Sequence, residues 1–274
     1  MKTATAKKDL FKIDAPFEDV ARAVVNAPPP KKSKTVFSKA RDIVSPSFVI
    51  PKGVKTNAPN VNDGLILLAE LPAGVVPVVV FDPQYRGVLD YQGFGNEGDK
   101  RGRARAELPQ MGEDTITEFI HAISRVLIPS GHLFLWVDKF HLCNGIDPWI
   151  SGTDLFTVDM VVWHKERLGM GYRTRRTCES LVVIQKAPKR AKGVWKIHNI
   201  PDVWSEAKEN SGHTHRKPIG LQSRLIEAVT NEGDFVVDPA AGSYSVLKSC
   251  QEVGRNFIGC DIVGTVKKGK TRTD

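Results

Sequence analysis

Gly233-Asp234-Phe235-Val236-Val237-Asp238-Pro239-Ala240-Ala241-Gly242-Ser243 reads as a strand, an acid, a loop of small residues and the start of a helix. Far upstream, the apolar run 76–81 is followed at once by Asp82-Pro83-Gln84-Tyr85. Both acids therefore fall at the carboxyl end of a strand, the edge at which open α/β sheets bind their ligands. Working outward, residues 65–71 hold enough apolar positions for a short helix, and Pro72-Ala73-Gly74 closes it. Residues 114–127 place Ile116, Phe119, Ile120, Ile123, Val126 and Leu127 at helical spacing. Pro129-Ser130-Gly131 reads as a turn, and 132–137, 156–163 and 181–184 read as further strands. A helix from Pro218 leads to strand 235–237, then helix 246–253 and strand 257–260. Strands alternating with helices predict a doubly wound, mostly parallel α/β sheet with helices on both faces.

The remaining segments read differently. Residues 1–60 form a basic extension, with a short helix expected over 17–25 that ends at Pro28-Pro29-Pro30. The glycine-rich, charged stretch 86–112 is expected to be a long loop, a candidate lid. Residues 187–212 read as an insert, and 265–274 as a basic tail.

With 274 residues, 41% hydrophobic and 26% charged, the chain is long enough for one full-sized core plus appendages, or for two small domains. No apolar run approaches the roughly 18–20 residues of a membrane helix, and no apolar stretch follows Met1 as in a secretory signal. The four cysteines lack CxxC spacing, which suits a reduced compartment, and no metal site is expected around His213 and His215. The net charge of +8 is compatible with phosphate backbones. It gathers in four clusters: Lys31, Lys32 and Lys34; Lys100, Arg101, Arg103 and Arg105; Arg167, Arg173, Arg175 and Arg176; Lys186, Lys189, Arg190 and Lys192. Each cluster alone also suits a solvated loop; together, flanking both acid-ended strands, they point to nucleic acid.

The chemistry follows from residue type. Small residues after Asp238 let a ligand approach the backbone, and a helix start offers N–H donors. Asp261 ends the next strand, where an acid can accept bonds from ribose hydroxyls. The loop lacks GxGxxG, so an adenosyl cofactor without a pyrophosphate fits better than a dinucleotide; an ordinary βαβ turn has the same appearance. Asp82 can accept a hydrogen bond from an exocyclic amino group, Pro83 stiffens the turn, and Tyr85 can stack on a base. A plain proline turn after a strand also reads this way.

Taken together these segments resemble the amino-group DNA methyltransferases of the permuted β class. Asp82-Pro83-Gln84-Tyr85 is similar to the family's DPPY, with Gln84 where the family has Pro. Val161-Val162-Trp163-His164-Lys165, with Gly169, Gly171, Arg173 and Glu179-Ser180-Leu181, resembles its W-x-K…G-x-G…R…E block. His215-Arg216-Lys217-Pro218 with Leu221 and Leu225 resembles its motif X. Residues 238–243 resemble DPFxGS, with Ala240 and Tyr244 replacing a Phe and a Gly, and 254–261 resemble GR-x-FIG-x-E. The catalytic motif precedes the cofactor motif, as in that class.

The resemblance implies a seven-stranded, Rossmann-like S-adenosylmethionine-dependent methyltransferase fold over 61–186 and 213–264, with 187–212 as a short target-recognition insert. It implies catalysis by Asp82, Pro83, Gln84 and Tyr85, and cofactor binding by Asp82, His215, Lys217, Pro218, Asp238, Pro239, Ala240, Gly242, Ser243 and Asp261. DNA contacts are expected from Lys100, Arg101, Arg103, Arg105, Arg173, Arg175 and Arg176. An acid at position 82 is the adenine-type residue, so the expected reaction is methyl transfer to adenine N6 of flipped-out bases in double-stranded DNA. Alternatives are cytosine N4, RNA, or a catalytically silent DNA-binding homologue. A homodimer, a restriction–modification setting, a cytoplasmic location in a bacterial or phage-encoded context, and relaxed or very short sequence specificity complete the expectations.

Overall fold

The computed structural model describes residues 48–85, 111–169, 174–207 and 216–262, all within one unit, Ile43–Asp274. The expected helix over 17–25, the lid loop up to residue 110, the first two basic clusters and the tail lie outside the described residues.

Among the described residues eight strands form one sheet: β1 (Asn60–Val61), β2 (Val76–Phe81), β3 (Leu127–Val137), β4 (Leu155–His164), β5 (Cys178–Lys186), β6 (Val203–Ser205), β7 (Phe235–Asp238) and β8 (Asn256–Asp261). The resemblance implied seven, six of which were placed in the sequence; two-residue β1, on the outer edge of β8, and three-residue β6, beside β4, were not placed, being too short to leave a periodic pattern. The spatial order is β1-β8-β7-β2-β3-β5-β4-β6. Every neighbouring pair is parallel except β3–β5 and β4–β5. From β2 the chain proceeds to β3 on one side, while β7 and β8 lie on the other. The strand order therefore reverses between β2 and β7, the crevice where open α/β sheets receive ligands.

Among the described residues six helices accompany the sheet: α1 (Gly64–Glu70), α2 (Glu113–Val126), α3 (Lys139–Asn144), α4 (Asp147–Ile150), α5 (Ile219–Val229) and α6 (Ser245–Glu252). Alternate residues of β2 supply the two cores. Val79 and Phe81 join Leu67 and Leu68 of α1 and Ile116, Phe119, Ile120 and Ile123 of α2 on one face. Val78 and Val80 join Leu221, Leu225 and Ile226 of α5 and Val246 and Leu247 of α6 on the other. All six β2 residues are buried, which explains the unbroken apolar run in place of alternation. Each such large side chain contributes roughly 1.5–3 kcal/mol of burial.

One reading changes. Pro129-Ser130-Gly131 is not a free turn but an irregularity near the start of β3: Val76 pairs with Leu127, Val78 with His132, and Ser130 takes φ 63°. A bulge of this kind imitates a turn in sequence because both call on Pro, Ser and Gly. The segment 187–212 contributes β6, which pairs in parallel with the end of β4. Upstream of residue 61, Phe48 stacks on Phe235 with centroids 4.1 Å apart. The Asn57 side chain accepts from the Phe257 N–H at 2.7 Å. Packing against the sheet thus begins well before β1.

Candidate active site

Four consecutive parallel strands end in acids on one edge: β8 in Asp261, β7 in Asp238, β2 before Asp82 and β3 before Asp138. Sheet order thereby brings Asp82 and Asp238, 156 positions apart in the numbering, to the same switch point.

At the β7 end, the Asp238 side chain accepts from the Ala240 N–H at 3.1 Å and is 4% exposed. Burial pushes its carboxyl well above the usual carboxylate range; the Ala240 N–H opposes this, and the charges of Asp82 and Asp261 add to it. Asp261 Oδ2 accepts from the Gly242 N–H at 3.2 Å, so the acid of β8 braces the loop of β7. Gly242 takes φ +46°, and Tyr244 takes φ 55° while its hydroxyl donates to the Asn60 carbonyl at 2.7 Å. The loop also packs on α1: a Cβ built on Gly64 would lie 2.1 Å from the Pro239 oxygen. Nothing larger than glycine fits at that position, which sequence reading did not single out.

At the β2 end, Pro83 is buried and Gln84 is exposed; the Gln84 carbonyl accepts from the Met111 N–H at 2.9 Å. Tyr85 donates to the Trp136 carbonyl at 2.5 Å, and its ring lies 4.7 Å from His141 and 6.0 Å from Trp149. His141 is held between Asp138 at 2.6 Å and Glu113 at 3.0 Å. Burial, then the charges of Asp82, Asp138 and Glu113, raises the Tyr85 hydroxyl well above its ordinary value, so it remains a neutral donor.

Asp82 meets a cation. Lys217 Nζ lies 3.0 Å from Asp82 Oδ1 and 2.8 Å from Glu179 Oε2, and Glu179 is paired in turn with Lys165. An aromatic floor runs beneath: Lys217 sits 4.8 Å over the Trp136 ring, Lys165 sits 5.4 Å over Trp163, and the two indoles meet edge to face at 6.2 Å. Strand register explains the arrangement. Glu179 faces Trp163 across β4–β5, and Leu181, two residues on, faces Trp136 across β3–β5. Burial raises the Asp82 carboxyl, Lys217 lowers it and Glu179 raises it. Glu179 resists its own burial through Lys217 and Lys165 and ends at about 2. Lys217 is raised by the same two carboxylates despite burial.

The start of α5 is anchored from a distance. Glu206, just past β6, accepts from the Gly220 and Leu221 N–H groups, both at 3.0 Å, and from Trp204 Nε1 at 2.8 Å. An acid at a helix N-terminus suits its dipole. Lys217 and Pro218 are thus placed by a residue of the 187–212 segment. Among the residues singled out from sequence, the structure brings together Asp82, Lys217, Pro218, Asp238, Pro239, Ala240, Gly242, Ser243 and Asp261 along one edge. Arg175 is exposed and Arg176 partly so; His215, Arg173, Lys100, Arg101, Arg103 and Arg105 lie outside the described residues. Glu179, Lys165 and Glu206 were not singled out as site residues. The W-x-K…E spacing carried a signal for the first two; Glu206 left none.

Comparison with known proteins bears on this edge. A family model described as DNA methylase matches residues 76–268. The Type II methyltransferase M.HhaII of Haemophilus parahaemolyticus is 54% identical over 208 residues, spanning 76% of this chain and 91% of that protein. The Type II methyltransferase M.HpaI of Haemophilus parainfluenzae is 42% identical over 224 residues, spanning 71% and 67%. Among solved structures, the M1.HpyAVI–SAM complex superposes with TM-score 0.54 at 17% identity, covering 74% of this chain and 92% of that one. The PvuII DNA methyltransferase (cytosine-N4-specific) superposes with TM-score 0.58 at 15% identity, covering 76% and 83%. At those identities the structural likeness speaks for the fold.

Proposed function

This chain belongs to the DNA methylase family, and we propose that it transfers a methyl group from S-adenosylmethionine to N6 of an adenine flipped out of double-stranded DNA. The observation that carries the reading is the placement of Asp82 at the β2–β7 switch point, beside the Asp238–Ser243 loop and in contact with Lys217. The residues at the β7 and β8 ends fit an adenosyl group. The small side chains of Ala240, Ala241, Gly242 and Ser243 leave the loop backbone approachable, and Asp261 stands where ribose hydroxyls find an acceptor. S-adenosylmethionine, when bound, supplies an electrophilic methyl on a sulfonium.

The protein's part is to present the nitrogen. The lone pair of an aryl amine is delocalised into its ring. A hydrogen bond from the amino group to Asp82 Oδ, with a second to a backbone carbonyl of the stiff Pro83 turn, favours a tetrahedral nitrogen and exposes the pair. As the N–C bond would form at the expense of the sulfonium S–CH3 bond, leaving the thioether S-adenosylhomocysteine, the nitrogen would become cationic and shed a proton. A carboxylate that burial raises and Lys217 lowers is a suitable acceptor for it. No covalent enzyme intermediate is needed, so none of the four cysteines has a catalytic task. Tyr85, pinned through its hydroxyl, offers a rigid ring on which the base can stack.

The acid at position 82, adenine-type by its resemblance, supports N6 over cytosine N4. Arg175 and Arg176, with the basic residues outside the described segments, are proposed as phosphate contacts. The short 187–212 segment is proposed as the reader, and its length supports relaxed or very short specificity. A homodimer and a cytoplasmic, restriction–modification setting are part of the same reading; no helix among the described residues is long and apolar enough to cross a membrane.

The test incubates the protein and its Asp82→Ala variant with methyl-labelled S-adenosylmethionine and unmethylated genomic DNA, followed by nucleoside analysis. N6-methyladenine that vanishes in the variant is the expected result. N4-methylcytosine would overturn the base assignment, and equal label in the variant would overturn the role of Asp82. Methylation mapping across a mixed genome that returned one long site would refute relaxed specificity.

A further inference from the structure

We propose that Lys165, Glu179 and Lys217 are positioning residues: an alternating chain of charges whose task is to hold Asp82 oriented and ionised at the methyl acceptor. This rests on the reading of Asp82 as the residue that engages the amino group. Sequence resemblance suggested Lys217 as a cofactor ligand; its geometry points elsewhere. Its ammonium bridges Asp82 at 3.0 Å and Glu179 at 2.8 Å while lying over the Trp136 ring, so all its near contacts are directed at the acceptor side.

The chain has a physical logic. Asp82 sits on a loop, where a lone carboxylate would rotate freely and lose ionisation to its enclosed surroundings. Lys217 fixes one oxygen and leaves Oδ2 for the substrate amino group. A half-buried lysine is poorly solvated as a charge without partners, and Glu179 supplies the second one. Glu179 would otherwise repel Asp82, and its pairing with Lys165 offsets that negative charge. The four groups sum to zero charge across β2, β4, β5 and the start of α5, and the two indoles beneath keep the ammonium groups from swinging away. Other titratable groups that feel the charge of Asp82 are Asp238 at the end of β7 and Tyr85 in its own loop.

The two inner members act on Asp82 with opposite sign, which gives a test that a merely structural role would not pass. Single-turnover methyl transfer is measured against pH for the full-length wild type and for Lys217→Met, Lys217→Arg, Glu179→Gln, Lys165→Met and Asp82→Asn. S-adenosylmethionine affinity and thermal unfolding are measured on the same samples. Losing Lys217 removes the charge that keeps Asp82 ionised, so the acid limb of the Lys217→Met profile moves to higher pH and the plateau rate falls about 100-fold, the scale of a mispositioned group. Lys217→Arg restores most of the rate and returns the limb. Glu179→Gln removes a like charge and leaves Lys217 to Asp82 alone, so its limb moves to lower pH. Lys165→Met leaves Glu179 uncompensated and moves the limb up by less than Lys217→Met.

Limbs that stay in place while S-adenosylmethionine affinity drops in Lys217→Met would overturn the inference and return Lys217 to the cofactor. Limbs that move in the same direction for Lys217→Met and Glu179→Gln would overturn it as well. If Lys217→Met does not fold, the opposed shifts of Glu179→Gln and Lys165→Met decide the matter. Failure of the underlying reading looks different: Asp82→Asn would then keep the wild-type rate.

Discussion

Replacing Gly64 with alanine adds a single methyl at the seam between α1 and both ends of the site. The added carbon would lie 2.1 Å from the Pro239 oxygen and 2.7 Å from Phe119 Cε1. The closest distance real Cβ atoms tolerate is 3.0 Å, so the carbonyl must retreat by about 1 Å. Neither neighbour yields easily. Pro239 follows Asp238 in the cofactor loop, and the Phe119 ring is stacked on Phe81 at 5.0 Å, the residue before Asp82. Overpacking of this kind costs about 1–3 kcal/mol. Alanine regains at most about 1 kcal/mol over glycine in a helix, and less at a first helical position already capped by Asp63. The net is a loss of about 1–2 kcal/mol, which lowers the melting temperature by roughly 2–8 °C for a domain of this size. The displaced loop should weaken S-adenosylmethionine binding by about 5–30-fold, since about 1.4 kcal/mol is a factor of ten. Calorimetric titration and thermal unfolding read both effects. Gly112→Ala serves as the control, because a Cβ there meets nothing within 4 Å. If Gly64→Ala matched the wild type in melting temperature and cofactor affinity, the close approach of α1 to the loop would be refuted.

Three further outcomes follow from the same geometry. Glu206→Ala strips the α5 N-terminus of its acceptor and should cost about 0.5–2 kcal/mol in chemical denaturation; Glu206→Gln, which keeps an acceptor oxygen, should cost less, and equal losses would argue against the capping role. In thiol titration of the native protein, exposed Cys143 and Cys178 should react quickly. Buried Cys250 and Cys260, whose thiols burial pushes up (Cys260 to about 12), should react only as the protein opens, and four equal rates would contradict this. Glu179 has a folded value near 2 against an ordinary 4.5, a depressed carboxylate. Its stabilising contribution is therefore complete above about 4.5 and is lost as pH falls toward about 2. The stability gap between wild type and Glu179→Gln, followed by denaturant unfolding, should close through that window, and a gap independent of pH would contradict the pairing.

Much of the fold was legible because its signals are local. The unbroken apolar run of β2, the helical spacing from Ile116 to Val126 and the small residues after Asp238 each depend on a few neighbouring side chains. So does the presence of an acid at each strand end. What escaped were features that depend on partners distant in the chain. Ser130 and its neighbours look like a turn until β2 is laid beside them. Phe48 has no evident purpose until Phe235 lies beneath it. β6 and Glu206 sit in a polar stretch whose role emerges only when β4 and α5 arrive on either side.

The amino-acid sequence by itself determined the α/β class, the succession of elements and the two acid-ended loops, because hydrophobic period and turn chemistry act within a few residues. Tertiary structure alone decided that β2 and β7 are neighbours, and so that Asp82 and Asp238 share one crevice. It alone drew Lys165, Glu179 and Lys217 from three separate segments into a line ending at Asp82. An ion pair between residues so far apart has no local energetic signature: the favourable contact exists only after the sheet has brought the charges side by side.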